Sequence, residues 1–387
     1  MFNIKTYNAI SSLGLDRLTA EGYQVGEDLN DPDAIMLRSF KMHDVPVASS
    51  VKAIGRAGDG VNNIPVDKMS ERGIVVFNAP GANANAVKEL VIAGMLIACR
   101  NLIPAWQYTT ELNGTDEEVS KAVEAGKKKF AGFELPGKTL GVIGLGAIGA
   151  QVANAADTLG MNVIGYDPTI TIQHAWQLSS NVKQMDSVDE LLAQSDFVTF
   201  HVPLIDATRN LLNAERLATM KDGSVILNFA RDGIVDDGAV LAAIESGKIH
   251  AYVSDFPSNQ VKAHDRVYTL PHLGASTAEA EDNCAVMIAE QLKDFLANGN
   301  IRNSVNFPNI KLARQGDYRL AIANRNRPDM LAKISHQLGD AGVNIIHMAN
   351  ESRNELAYTL IDLESKPDDS TLDKIAATED VLSIRLI

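Results

Sequence analysis

Three short stretches of this sequence carry residue types that can do chemistry together. Gly144-Leu145-Gly146-Ala147-Ile148-Gly149 is a GxGxxG. In such a loop the first glycine permits a tight turn, the second lets backbone approach a pyrophosphate, and the third lets helix and strand pack closely. The loop follows an apolar run, TLGVI, and opens a helical pattern, and Asp167 closes the next apolar run eighteen residues after Gly149. That context separates a dinucleotide fingerprint from a glycine-rich packing turn. A carboxylate at Asp167 accepts hydrogen bonds from ribose hydroxyls and repels a 2′-phosphate, and Pro168, Thr169 and Ile170 bring no cation to reverse this. The expected cofactor is therefore NAD.

Two further residues complete a reaction. Arg231, in NFARDGIVD, and His272, in PHLGAST, each follow a strand-like run. In an open α/β sheet, ligands sit at the carboxyl ends of the strands, so both side chains are expected at the nicotinamide crevice. Interconverting a 2-hydroxy acid and a 2-oxo acid needs a fixed cation for carboxylate and carbonyl, and a proton carrier at the oxygen. Arg supplies a permanently charged fork, and His exchanges a proton near neutral pH. His201 and Val202, in FHVPL, read as crevice or packing residues rather than a second base. His43, His174, His250 and His264 carry no pattern, and no metal site is expected.

The elements that must position these residues alternate. Ile4–Asn8, Ala34–Ser39, Ala53–Gly58 and Val75–Ala79 are strand-length runs separated by turns or helical patterns, the rhythm of βαβ units. A second series, Thr139–Ile143, Asn162–Asp167, Phe197–Val202, Ser224–Phe229, Ala251–Ser254 and Val267–Pro271, gives six more strands. A helix over Ala275–Asn298 should stop at Gly299. Asn300–Gly316 is polar, contains Pro308 and lacks a period, so it reads as a linker. The remaining residues give strand, helix, two strands, helix, strand, the order of a small βαββαβ ferredoxin-like domain.

Composition bounds the partners. The chain has 387 residues, 35 Lys+Arg against 49 Asp+Glu, and a net charge of −14. That balance disfavours nucleic acid and anionic membrane surfaces but leaves a small anionic substrate open, because a local arginine cluster overrules net charge. Two cysteines, Cys99 and Cys284, are too few for a disulfide framework. The start, MFNIK, lacks the apolar region of a signal peptide. A cytoplasmic protein is the expectation.

Taken in order, NAPGANANAVKELVIAG, GVIGLGAIG, GYDP, HVPL, NFARDGIVD and PHLGAST resemble the D-2-hydroxyacid dehydrogenase family across nearly the whole chain. The resemblance implies a Rossmann NAD domain inserted into a flavodoxin-like substrate domain. The implied divisions are substrate-binding 1–100 and 275–305, dinucleotide-binding 101–274, linker 306–316 and a regulatory domain 317–387. It implies Arg231 as substrate anchor and His272 as acid/base. Gly144, Gly146, Ala147, Ile148, Gly149, Asp167, His201, Val202, Phe229, Ala230, Arg231, Asp255, His272, Gly274 and Ala79 would then contact cofactor, Asp255 near the nicotinamide amide. Arg56, in GRAG, and Arg38, in LRS, match substrate-binding cations. IGRAGDGVNNI, SVNFP and the C-terminal segment narrow the implied substrate to 3-phospho-D-glycerate. Alternatives are another 2-hydroxy acid, such as glycerate with its product hydroxypyruvate, or an NAD-sensing binding protein.

The sequence departs from the family at one position in particular. The family's His is usually paired with a Glu some 28–29 residues after the Arg, where Asn259 and Gln260 stand here. An amide can orient an imidazole but does not favour its charged form, so a less alkaline pH optimum for reduction is expected. The C-terminal segment resembles the ACT family of amino-acid-binding modules. Asn324, Asn326 and Asn344 match positions that hold an L-serine effector between paired domains. A homodimer or homotetramer is implied as well.

Overall fold

The structure, a computed structural model, describes residues 1–387. The chain divides into two compact units, Met1–Asn83 with Ala278–Ile387, and Ala84–Thr277.

The first unit begins with a parallel sheet of β1 (Asn3–Tyr7), β2 (Gln24–Gly26), β3 (Ala34–Leu37), β4 (Ala53–Arg56) and β5 (Val75–Phe77), in the order β2-β1-β3-β4-β5. Strand β3 is buried throughout and β4 nearly so, as parallel strands covered on both faces must be. The register pairs Leu37 with Arg56, so Arg38 and Arg56 emerge together at the carboxyl edge. The long helix Ala278–Asn298 covers one face with Cys284, Ile288, Leu292 and Phe295. It starts three residues later than the sequence pattern suggested and ends at Gly299, whose φ of 75° is a left-handed stop.

The second unit is a seven-stranded parallel sheet: β6 (Thr139–Ile143), β7 (Asn162–Tyr166), β8 (Lys183–Gln184), β9 (Phe197–Phe200), β10 (Ser224–Asn228), β11 (Ile249–Ser254) and β12 (Val267–Thr269). The order β12-β11-β10-β9-β6-β7-β8 reverses direction between β9 and β6, the switch point where dinucleotides bind. The two-residue edge strand β8 adds to the six strands read from sequence. The helix Ala84–Cys99 also belongs to this unit, so the division falls at Asn83/Ala84 and not near residue 100. The reason is burial: Val87, Val91, Met95 and Ala98 share a core with Leu140, Val142 and Leu227.

The chain then returns to the first unit. Strands β13 (Tyr318–Arg325), β14 (Ile345–Arg353), β15 (Leu356–Leu363) and β16 (Val381–Leu386) form an antiparallel sheet in the order β14-β15-β13-β16. Alternation along β13 and β15 sorts the side chains. Leu320, Ile322, Ile361 and Leu363 meet the helices Met330–Asp340 and Asp369–Ala376 through Ile334, Leu338 and Ile375. Ala321, Ala323, Tyr358 and Leu360 face the other way and share a core with Phe295 and Phe307 of the parallel-sheet layer.

The segment 300–316 is not a loose linker. Phe307, Ile310 and Leu312 are buried, and Val305 donates its N–H to the Val76 carbonyl beside β5. Asn306 stands in for a further strand, since its Oδ1 accepts from Val76 N and its Nδ2 donates to the Ile74 carbonyl. A strap held by a side-chain amide leaves no periodic trace in the sequence, which is why it read as a connector.

One ion pair locks the strap to the small sheet. Arg319 and Asp362 are both fully buried, with Nε to Oδ1 at 2.6 Å and Nη2 to Oδ2 at 2.9 Å. Arg319 Nη1 also donates to the carbonyls of Asn298 and Leu312, and Gln315 N donates to Asp362. No helix is long and apolar enough to cross a membrane. Arg319→Met should strand a buried carboxylate and cost about 3–5 kcal/mol in urea unfolding, whereas the double change Arg319→Met/Asp362→Leu should lose less than half of that. Equal losses would show that the pair is not what holds the strap.

Candidate active site

Parallel register aligns the ends of the strands in the second unit. Tyr166 pairs with Ile143, Ile143 with Phe200, Phe200 with Asn228, Asn228 with Ser254, and Ser254 with Thr269. The residues that follow therefore stand along one carboxyl edge: Asp167, Gly144, His201, Phe229, Asp255 and Leu270.

At the centre of that edge, Gly144 has φ 90°, and a Cβ there would come within 2.6 Å of the His201 carbonyl. A Cβ on Gly149 would overlap the Gly144 carbonyl oxygen, whereas one on Gly146 would meet nothing. The helix Ala147–Thr158 starts at Gly146 with no side chain capping its first turn. Open room beside uncapped N–H groups at a helix N-terminus is what a pyrophosphate occupies. Asp167 braces the loop: Oδ1 accepts from Thr169 N at 2.8 Å and Thr169 Oγ1 at 3.1 Å, and Oδ2 accepts from Leu145 N at 2.9 Å and keeps lone-pair capacity for a ribose hydroxyl.

His201 is not an acid or base at neutral pH. Its Nδ1 is out of solvent without a protein partner, its Nε2 lies 3.0 Å from Thr199 Oγ1, and burial pushes its pKa down to about 3. Val202 packs beside Gly144.

On the other flank the loop after β10 is shaped by buried Asn228. Its Oδ1 accepts from Ala230 N and its Nδ2 donates to the Arg231 carbonyl. Phe229 and Ala230 are buried beneath. On the neighbouring strand end, Asp255 is 1% exposed. Its carbonyl accepts from His272 N at 3.0 Å, and its Oδ2 accepts from Gly274 N at 3.2 Å. Its Oδ1 is buried with no protein partner. Burial raises the Asp255 pKa, while the nearby charges of His272 and Arg231 pull it down, so one carboxylate lies in electrostatic reach of both cationic side chains.

His272 itself is held in the left-handed region, φ 47°, and its ring packs on Phe256 at 4.9 Å between centroids. A non-glycine residue at positive φ costs free energy, and such strain collects at functional sites. Asn259 and Gln260, the amides at the expected Glu position, are exposed, and Gln260 lies over Gly238 at the start of the helix Asp237–Glu245. The residues present fit a dinucleotide: an open glycine cradle, a ribose acceptor, and an orphaned buried oxygen able to take a carboxamide N–H.

The first unit holds the other candidates. Arg56 Nε donates to the Arg38 carbonyl at 3.1 Å, and Arg38 pairs with Glu281 at 2.7 Å. The Arg56 guanidinium folds back over Gly58, where a Cβ would displace it. Ala79 is buried, its N–H donating to the Gly58 carbonyl. In the small sheet, Asn324 is buried with Oδ1 unpartnered, and Asn326 donates to the Asn354 carbonyl. Asn344 donates to Glu364 at the far end of the sheet. The register, Asn324 opposite Ala357 and Ile345 opposite Leu363, separates Asn324 from Asn344 by roughly 20 Å. One chain does not bring the three asparagines together. Sequence reasoning missed Phe256, and no motif signalled it.

Comparisons place this geometry among known proteins. Residues 92–275 match the model of the D-isomer specific 2-hydroxyacid dehydrogenase NAD-binding domain. A D-3-phosphoglycerate dehydrogenase from Haemophilus influenzae is 31% identical, with 98% of this chain and 96% of the relative covered. One from Methanocaldococcus jannaschii is 40% identical over 87% of this chain, which spans only 63% of that relative's length. The crystal structure of NAD+-bound 3-phosphoglycerate dehydrogenase from Entamoeba histolytica aligns with TM-score 0.60 and 25% identity, covering 79% of this chain and 98% of the other.

The raised pKa of Asp255 has a stability consequence. Its native state binds the proton more tightly than the unfolded state does, so the ionised carboxylate costs stability above its ordinary value of 3.8. Asp255→Asn should raise Tm at neutral pH, with the gain vanishing as pH falls towards 3.8. A Tm that drops at neutral pH would contradict a net desolvated charge.

Proposed function

Because the chain belongs to the D-isomer specific 2-hydroxyacid dehydrogenase family, we propose that it oxidises 3-phospho-D-glycerate to 3-phosphohydroxypyruvate with NAD. The observation that carries the reading is the trio at neighbouring strand ends: Arg231 after β10, Asp255 after β11 and His272 after β12, with one buried carboxylate in electrostatic reach of the other two. Close similarity to proteins named D-3-phosphoglycerate dehydrogenase supports the choice of substrate.

The residues divide the work. The dinucleotide supplies the hydride acceptor when bound. Arg231 grips the substrate carboxylate in its fork and polarises the oxygen on the reacting carbon as its bond order rises. His272 takes the hydroxyl proton as the carbon gives up its hydride. Asp255 positions His272 by accepting its backbone N–H at the main-chain carbonyl, and its carboxylate lies in electrostatic reach of the His272 ring. Arg38 and Arg56 are the cations we assign to substrate anionic groups. Asp167 confers preference for NAD over its 2′-phosphorylated form.

We also propose that residues 317–387 act as an ACT-like regulatory domain. Asn324 and Asn326 of one copy with Asn344 of another would hold L-serine, since one chain separates them. Trp106 is 67% exposed on the helix Leu102–Glu111, which buries none of its residues, and this supports a homo-oligomer joined by that face. Two free, buried cysteines fit the cytoplasm.

The test is NADH consumption with 3-phosphohydroxypyruvate against hydroxypyruvate. The phosphorylated acid should be preferred at least tenfold in kcat/KM, and Arg231→Lys should cost roughly 100-fold, because a point charge cannot replace the fork. Tight NADH binding without turnover of any 2-oxo acid would instead mean a sensor.

A further inference from the structure

The second sheet buries one hydroxyl that the chemistry above does not use. Tyr252, on β11, is 2% exposed and belongs to the same apolar cluster as Ile226, Val240, Ile244 and Val261. Phenylalanine would fill that space with no hydroxyl to desolvate. A buried tyrosine O–H is tolerated where it meets polar partners, and strand register says which ones.

Across the β10–β11 ladder Ile226 pairs with Tyr252 and Asn228 with Ser254, so the side chains of Asn228, Ser254 and Tyr252 share one face. Two residues along a parallel strand rise about 6.6 Å, a span that a tyrosine side chain covers. The Tyr252 hydroxyl is accordingly within hydrogen-bonding reach of Ser254 and Asn228, and burial pushes its pKa up to about 12, which keeps it a donor at neutral pH. Asn228 and Ser254 are themselves buried and engaged. Asn228 holds Ala230 N at 3.2 Å and the Arg231 carbonyl at 3.0 Å, and Ser254 Oγ accepts from Phe256 N at 3.1 Å. Each keeps capacity for a third group: a second amide N–H and lone pair on Asn228, and a further lone pair on Ser254.

Resting on the role given above to Arg231, we propose that Tyr252 is a positioning residue for the reaction. Its hydroxyl ties Asn228, which shapes the Arg231 loop, to Ser254 on the neighbouring strand, and so fixes where the Arg231 fork stands. Tyr252 touches neither substrate nor cofactor and acts through Asn228 alone. A misplacement of about 1 Å in a group that grips the substrate can cost roughly 100-fold in rate, so the loss of one buried tether is measurable.

Tyr252→Phe in the full chain keeps the ring and removes the hydroxyl. With NADH and 3-phosphohydroxypyruvate it should lower kcat/KM about tenfold and leave NADH affinity unchanged. Coupling separates positioning from general damage, because changes that act through one group do not add. Placed on top of Arg231→Lys, Tyr252→Phe should therefore cost less than about a further threefold. Amide hydrogen exchange gives a readout that needs no turnover. The Ala230 amide, which Asn228 holds, should exchange at least about tenfold faster in Tyr252→Phe, while the Gly144–Gly149 loop exchanges as in the unaltered chain. If no 2-oxo acid is turned over at all, the function proposed above fails, and the exchange result still decides this inference. Undiminished kcat/KM in Tyr252→Phe, a full tenfold loss on top of Arg231→Lys, or unchanged exchange at Ala230 would each overturn it.

Discussion

A buried carboxylate between an arginine and a histidine is the constraint on which the rest of the candidate active site depends. Burial raises the Asp255 pKa, and His272, the Gly274 N–H and Arg231 oppose that rise; all of them are brought there because β10, β11 and β12 are adjacent and in register. The Asp255 carbonyl and one of its carboxylate oxygens also fix the backbone of His272 and Gly274. The remaining oxygen is left facing no protein donor. Sheet order, strand register and side-chain charge thus converge on one residue. Removing a donor or a cation would leave desolvated charge uncompensated, which is costly in a low-dielectric setting.

The same logic accounts for the carboxyl edge as a whole. Gly144, Asp167 and the Arg–His pair are far apart in sequence, yet parallel register delivers each to the same side of the sheet. A tight glycine turn then does what no side chain could, because any Cβ at Gly144 or Gly149 would meet backbone. In the first unit a different economy operates. The strap after the long helix is held by an asparagine amide and by a buried arginine, so that three apolar residues can fill the core without forming a strand.

Legibility in the sequence followed the range of the interactions. The GxGxxG loop, its acidic partner and the strand ends bearing Arg231 and His272 were readable, because each is defined by a few neighbouring residues. The position of Arg56 is readable, but the fold-back of its guanidinium over Gly58 is not, since it depends on the turn's three-dimensional path. The strap reads as a linker because the asparagine amide and buried arginine that anchor it leave no period in the sequence. The unit that claims the helix Ala84–Cys99 is not legible, because its apolar stripe does not say which core it enters. The absent Glu was noticed, but that Asp255 supplies a carboxylate facing His272 depends on register across three strands.

In the proposed reaction this trio removes a hydride and a proton from a 2-hydroxy acid. The most direct measurement follows 3-phospho-D-glycerate deuterated at C2 through one turnover with NAD. Direct transfer predicts the deuterium on the reduced nicotinamide, none of it in solvent, and loss of the signal in His272→Asn with NAD binding intact. Deuterium released to water, or turnover undiminished in that variant, would contradict the account.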